Sequence, residues 1–170
     1  MALINMAELR ALLPRHARLL GLDPGAKIIG VALSDVTLML ASPYGSLKRG
    51  KLLANAAEIR DIAARQGAGG LVVGLPLSMD GTRGPAAQAA SDWALALSEA
   101  AGLPCAMWDE RLSSAAVNRM MIEEADMTRK RRAAQVDSAA AAYMLQSALD
   151  ASRPGLDERP PSRYGFGPER

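Results

Sequence analysis

Apolar residues in this chain recur first as three short strand-like runs, and then, from residue 51 onward, as alternating helical and extended segments. Residues 18–23 (RLLGLD) are apolar up to an acid and the turn pair Pro24-Gly25, the pattern of a strand. Residues 28–34 (IIGVALS) follow so closely that only a tight turn can join the two, which makes them antiparallel. Residues 38–47 form a weaker third run, interrupted by Pro43 and Gly45. The period then changes: Leu52, Leu53, Ala56, Ile59, Ile62 and Ala63 share a helical face within residues 51–66. Residues 71–75 (LVVGL) read as a buried strand. Residues 85–101 read as an Ala-rich helix opened by Pro85, where a missing N–H costs nothing. Residues 105–109 make a fifth strand, and residues 113–124 and 133–150 read as helices separated by a basic connector. A short amphipathic helix at residues 6–13, stopped by Pro14, precedes them all. Crossovers through helices imply parallel pairing for the last two strands, and the first three form a meander. The expected fold is α/β: a single domain with a mixed five-stranded sheet flanked by helices.

A chain of 170 residues has room for one such domain, and 49% hydrophobic with 22% charged residues is a foldable composition. Aromatics are only 4%, so the core must come from Ala, Leu, Val, Ile and the nine Met. One Cys excludes an intramolecular disulfide framework and a Cys-rich zinc module. No apolar run nears the roughly 18 residues of a membrane span, and none precedes a signal cleavage pattern. The expected address is therefore cytoplasmic, with no membrane partner. Residues 151–170 hold four of the ten prolines and three glycines, which reads as a mobile tail. The expected organisation is an N-terminal helix and connector (1–16), a domain (17–150) and that tail (151–170).

Three positions put acids where apolar pattern alone would not. Asp23 ends the first run of the meander before Pro24-Gly25, where it could equally cap the turn. Trp108-Asp109-Glu110-Arg111 ends the fifth strand; adjacent acids face opposite ways, so Asp109 and Glu110 are alternatives for one site. The plain reading is a solvated strand end with a local ion pair, and Asp109 could instead orient Arg111. Asp137 shares a helical face with Ala140, Ala141 and Met144, an expensive position unless the acid is paired or bound to a cation. As a residue one turn into its helix, it could also answer the helix dipole. Three carboxylates without His or Cys make a hard-oxygen site for Mg²⁺ or Mn²⁺, as one ion or two, and two such ions suit phosphodiester hydrolysis.

The overall charge of +2 hides where charge sits. The seven residues from Asp126 to Arg132 carry +3, while the first 150 residues together carry only +1. The run Arg129-Lys130-Arg131-Arg132 adjoins Asp137. A solvated connector is the plain reading, and contact with a nucleic-acid backbone is the functional one. Arg83, in the glycine-rich loop before the Ala-rich helix, and Arg111 are further candidates for phosphate contact. Asp80 reads as a turn residue, His16 as part of a connector, Cys105 as a core thiol, and Trp108 as buried rather than stacked on a base.

Four ordered motifs now resemble the YqgF/RuvX family. They are Leu22-Asp23-Pro24-Gly25 with Ile29-Gly30-Val31-Ala32-Leu33-Ser34-Asp35, then Val73-Gly74-Leu75-Pro76-Leu77-Ser78-Met79-Asp80-Gly81, then Trp108-Asp109-Glu110-Arg111-Leu112, and Val136-Asp137-Ser138-Ala139-Ala140 with Leu145-Gln146. The resemblance spans about residues 17–150. It implies an RNase H-like fold and a nuclease maturing the 5′ end of pre-16S rRNA, a role debated against Holliday-junction resolution. It also implies Asp23, Glu110 in preference to Asp109, and Asp137 as the catalytic and metal-binding acids. Related RuvC-type resolvases have a fourth acid; here Gly74-Leu75-Pro76 has none, and Ala140 follows Asp137 by one turn. A nucleic-acid-binding or ribosome-assembly module without catalysis is therefore a second reading. A sugar-kinase-like ATPase would need a second lobe that 170 residues do not supply. Monomer and homodimer are both compatible with the sequence.

Overall fold

The unbroken apolar runs pair inside one sheet, and the run broken by Pro43 and Gly45 lies at its edge. In the computed structural model, which describes residues 3–75, 84–109 and 129–153, the elements follow in order. They are β1 (Leu3–Ile4), α1 (Met6–Leu12), β2 (Arg18–Pro24), β3 (Ile28–Ser34), β4 (Ala41–Lys48), α2 (Leu52–Gln66), β5 (Ala68–Leu75), α3 (Pro85–Ala101), β6 (Cys105–Asp109) and α4 (Arg129–Ala151). The sheet order is β1-β6-β5-β2-β3-β4. Strands β2 and β5 pair in parallel at the centre, each burying apolar side chains on both faces. The run broken by Pro43 becomes the edge strand β4, whose register slips at Tyr44 because Val31 pairs with Gly45 and Ala32 with Pro43.

Two cores lie on the two faces. Leu20, Leu22, Ile29, Val31, Leu71 and Val73 pack under α2 and α3 with Ile59, Ile62 and Leu97. Leu19, Ala32, Val72 and Ala106 pack on the other face against α4 (Ala141, Met144, Leu145, Ala148, Leu149) and against Met6 and Leu9 of α1. The alanines of α4 let it ride low on the sheet. A Cβ at Gly21 would stand 2.9 Å from Leu145 Cβ and 3.3 Å from the Ala141 carbonyl oxygen, so only glycine admits the helix there. Among the described residues, no helix is long and apolar enough to cross a membrane.

The mixed α/β fold is as expected, with two differences. To the five expected strands the sheet adds a sixth, β1, which pairs in parallel with β6 (Leu3 with Cys105, Ile4 with Ala106). The basic run read as a connector is instead the first turn of α4, which begins at Arg129 rather than at residue 133. Arg and Lys are good helix formers, so local propensity outweighs their mutual repulsion. The helix expected at residues 113–124, the loop at 76–83 and the tail beyond residue 153 lie outside the described residues.

Candidate active site

Strands β2, β5 and β6 run parallel, and β4 runs with them because β3 is antiparallel to both of its neighbours. Their C-terminal ends therefore share one edge of the sheet. Since α2 follows β4 and α3 follows β5, both helices start at that edge. Neither has a side-chain cap, and none of α2, α3 and α4 has an acid in its first turn. The unsatisfied N–H groups of helix starts make this edge a favourable place for anions.

Asp23 is the penultimate residue of β2 and pairs with Gly30. Leu20 and Leu22 face α2 and α3 while Leu19 and Gly21 face α4, so alternation sets Asp23 on the α4 side. It is half-buried, and its carboxylate has no hydrogen bond or ion pair among the described residues. Helix α4 runs antiparallel to β2. Near its C-terminus the Leu149 carbonyl accepts from Arg10 Nη2 (2.9 Å), which also reaches the Leu38 carbonyl (3.3 Å) beyond the start of β2. From the contact at Gly21, Asp23 lies about 7 Å further along the strand. Asp137 lies about 6 Å back along the helix from Ala141. The backbones at 23 and 137 thus arrive level, and the basic turn Arg129-Lys130-Arg131-Arg132 begins α4 further out at the same edge.

Strand β6 gives Cys105 and Met107 to the α2–α3 core, and Ala106 and Trp108 to the α4 core. It ends at Asp109, opposite Leu75. Glu110, Arg111 and Arg83 lie outside the described residues. Trp108 is half-buried against the α4-side core, as expected, and its indole Nε1 has no hydrogen-bond partner among the described residues. Among the described residues no three His, Cys, Asp or Glu side chains cluster as a metal site.

Two further residues, Asp35 and Cys105, are structural. The Thr37 hydroxyl (2.7 Å), with the backbone N–H groups of Met39 and Leu40, holds the Asp35 carboxyl below the usual carboxylate range, at the opposite edge. Burial pushes the Cys105 thiol up to about 12, so it is no nucleophile near neutrality.

A second basic group escaped the sequence reading. Lys27, in the β2–β3 turn, and Lys48, Arg49 and Lys51, at the β4–α2 junction, meet at this edge because Ile28 pairs with Lys48 and Arg49 N donates to the Lys27 carbonyl (2.9 Å). The signal was present as three cations in the four residues 48–51, but the turn that adds Lys27 belongs to another element.

The sequence model of the RuvX family, described as a Holliday junction resolvase, matches residues 17–151. A provisionally named pre-16S rRNA nuclease of Gluconacetobacter diazotrophicus is 71% identical over 152 residues, covering 89% of this chain and 99% of the relative. One of the same name from Acidiphilium cryptum is 65% identical over 150 residues, covering 88% and 94%. Among solved structures, Thermus thermophilus RuvC in complex with a Holliday junction substrate aligns with a TM-score of 0.49 at 19% identity, covering 80% of this chain and 95% of that one.

Proposed function

The chain belongs to the RuvX family, and on that premise we propose that it is a metal-dependent endonuclease hydrolysing phosphodiester bonds at the 5′ end of pre-16S rRNA. The observation that carries this reading is the seating of α4 on Gly21. From that contact the chain runs outward to Asp23 on one side and Asp137 on the other, at the edge where β5 and β6 also end. Even-numbered residues of β6 join the α4-side core, so we assign the third acid to Glu110 rather than Asp109. RNA rather than branched DNA is favoured by the names of the relatives.

The donor chemistry fits Mg²⁺ or Mn²⁺: all three acids offer hard oxygens, and Asp23 is a half-buried carboxylate with no other described partner. Asp23, Glu110 and Asp137 would hold one ion or two, which when bound supply Lewis-acid polarisation of the scissile phosphate and a water of lowered pKa. The chain's own part is positioning. The basic turn at 129–132, with Arg83 and Arg111, grips the phosphate backbone without reading bases, and the uncapped starts of α2 and α3 favour its charge.

The test is cleavage of a precursor 5′ RNA segment and of a four-way DNA junction, with Mg²⁺ or Mn²⁺, by the parent, Asp23→Asn and Asp137→Asn. RNA cleavage lost in both variants is the expected result. Unchanged cleavage in the variants overturns the site, and binding without turnover in the parent makes the chain a binding module. Junction cleavage by a stable dimer, read with a solution mass measurement, would favour the branched-DNA reading suggested by the family description.

A further inference from the structure

On the other side of Asp23, between the β2–β3 turn and the start of α3, lies a cleft of about 230 Å³ lined by Pro24, Gly25, Arg49, Ala86, Ala89 and Trp93, among others. It is smaller than the clefts that enclose whole drug-sized ligands, so it suits one base of a longer molecule better than a separate cofactor. Its floor is alanine, with nothing beyond Cβ to fill the space. Its wall is Trp93, with the Arg49 guanidinium 5.2 Å from the ring centroid. Arg49 Nη1 donates to the Gly25 carbonyl (2.8 Å), and the guanidinium makes no ion pair among the described residues. A half-buried cation held by a ring and one carbonyl keeps most of its five donors free, in a plane that matches a phosphate. Exposed Lys48 and Lys51 flank it in sequence, exposed Lys27 adjoins it through its carbonyl, and no acid lies between residues 36 and 57.

We propose that this cleft is a nucleotide subsite, in which Arg49 binds a phosphate flanking the scissile bond and the wall of alanines and Trp93 takes the adjoining base. The proposal rests on the nuclease reading and deepens it. Pro24 follows Asp23 directly but belongs to the opposite face of the sheet. A bound strand therefore crosses the sheet edge from the basic turn of α4, past the acids, to Arg49. Base contact of this kind tolerates any sequence, while the phosphate contact depends on salt.

The experiment measures binding of a labelled single-stranded oligonucleotide, as RNA and as DNA of one sequence, across a series of salt concentrations. The full chain carries Asp23→Asn throughout, so that no cleavage intervenes. Arg49→Gln is expected to weaken binding about tenfold and to lower the salt slope by about one, while Arg49→Lys keeps the slope. Ala89→Met fills the cleft at an exposed helical position and is expected to weaken binding several-fold with the slope unchanged. Arg65→Gln, at the far end of α2, serves as the control without effect. An unchanged slope in Arg49→Gln overturns the phosphate contact, and unchanged affinity in Ala89→Met overturns the base contact. Both failures leave the nuclease reading standing, whereas no binding by the parent at any salt concentration overturns the two together.

Discussion

The two ends of the sheet are finished in opposite ways. At the end where β2 begins, backbone groups find partners. Arg10 ties the Leu149 and Leu38 carbonyls and Ser152 Oγ together, and buried Ser34 Oγ accepts from Leu19 N (2.8 Å). Glycines in the left-handed region, Gly67 (φ 71°) and Gly102 (φ 73°), terminate α2 and α3. At the end where β2 stops, α2 and α3 start without side-chain caps, cations crowd the β4–α2 junction and the first turn of α4, and Asp23 has no described partner. One end is built for stability. The other keeps its polar groups open for a ligand, at some expense in stability.

If that division holds, changes at the two ends should separate activity from folding. The largest expected effect is at the open end: Asp23→Asn should lower the cleavage rate on the order of a hundredfold or more. Its thermal midpoint should stay within about two degrees of the parent's, as read by calorimetry. At the closed end, Leu149→Ala should cost about 2–5 kcal/mol in urea unfolding, with cleavage per folded molecule unchanged. Arg10→Gln should cost about 1–3 kcal/mol by the same measurement, because it strands carbonyls that the guanidinium now serves. A smaller and inverse effect is expected from Lys51→Asp, which gives α2 the cap it lacks. Stability should rise by about 0.5–1 kcal/mol while the affinity for RNA falls.

The Cys105 thiol supplies a pH test of the core between the two ends. Its folded pKa is raised from 9.0 to about 12, so both states are neutral below pH 9 and its contribution is fully present there. Above pH 9 the unfolded thiol ionises first, and stability should fall progressively towards pH 12. Urea midpoints of the parent and of Cys105→Ala, compared across that range, isolate the effect; parallel curves would remove it.

Much of this division was readable in the chain. The strand at residues 28–34, the helix from Pro85 to Ala101 and the strand from Cys105 to Asp109 have the bounds their patterns imply, because proline starts, glycine stops and unbroken apolar runs all agree. What escaped were features made by pairing. Two residues, Leu3 and Ile4, carry no period, and they become a strand only because β6 offers them an edge. Lys27 and Arg49 are 22 positions apart and adjoin only through the register of β3 with β4. In sequence Trp93 is one more apolar residue of an Ala-rich helix, and only the fold brings the Arg49 guanidinium from the β4–α2 junction over its ring. The acids themselves stood out because each breaks an apolar pattern, whereas cations on a surface break none.

The contact at Gly21 has a consequence for tolerance to mutation. With backbone against side-chain stem and no adjustable group between, the spacing between α4 and the sheet acts as a fixed gauge, and the first turns of the helix project from it like a lever. A single added methyl at that fulcrum would lift the far end of the helix by more than it moves the contact itself. Damage in the interior would then register as a fault in catalysis, two residues along the strand from Asp23.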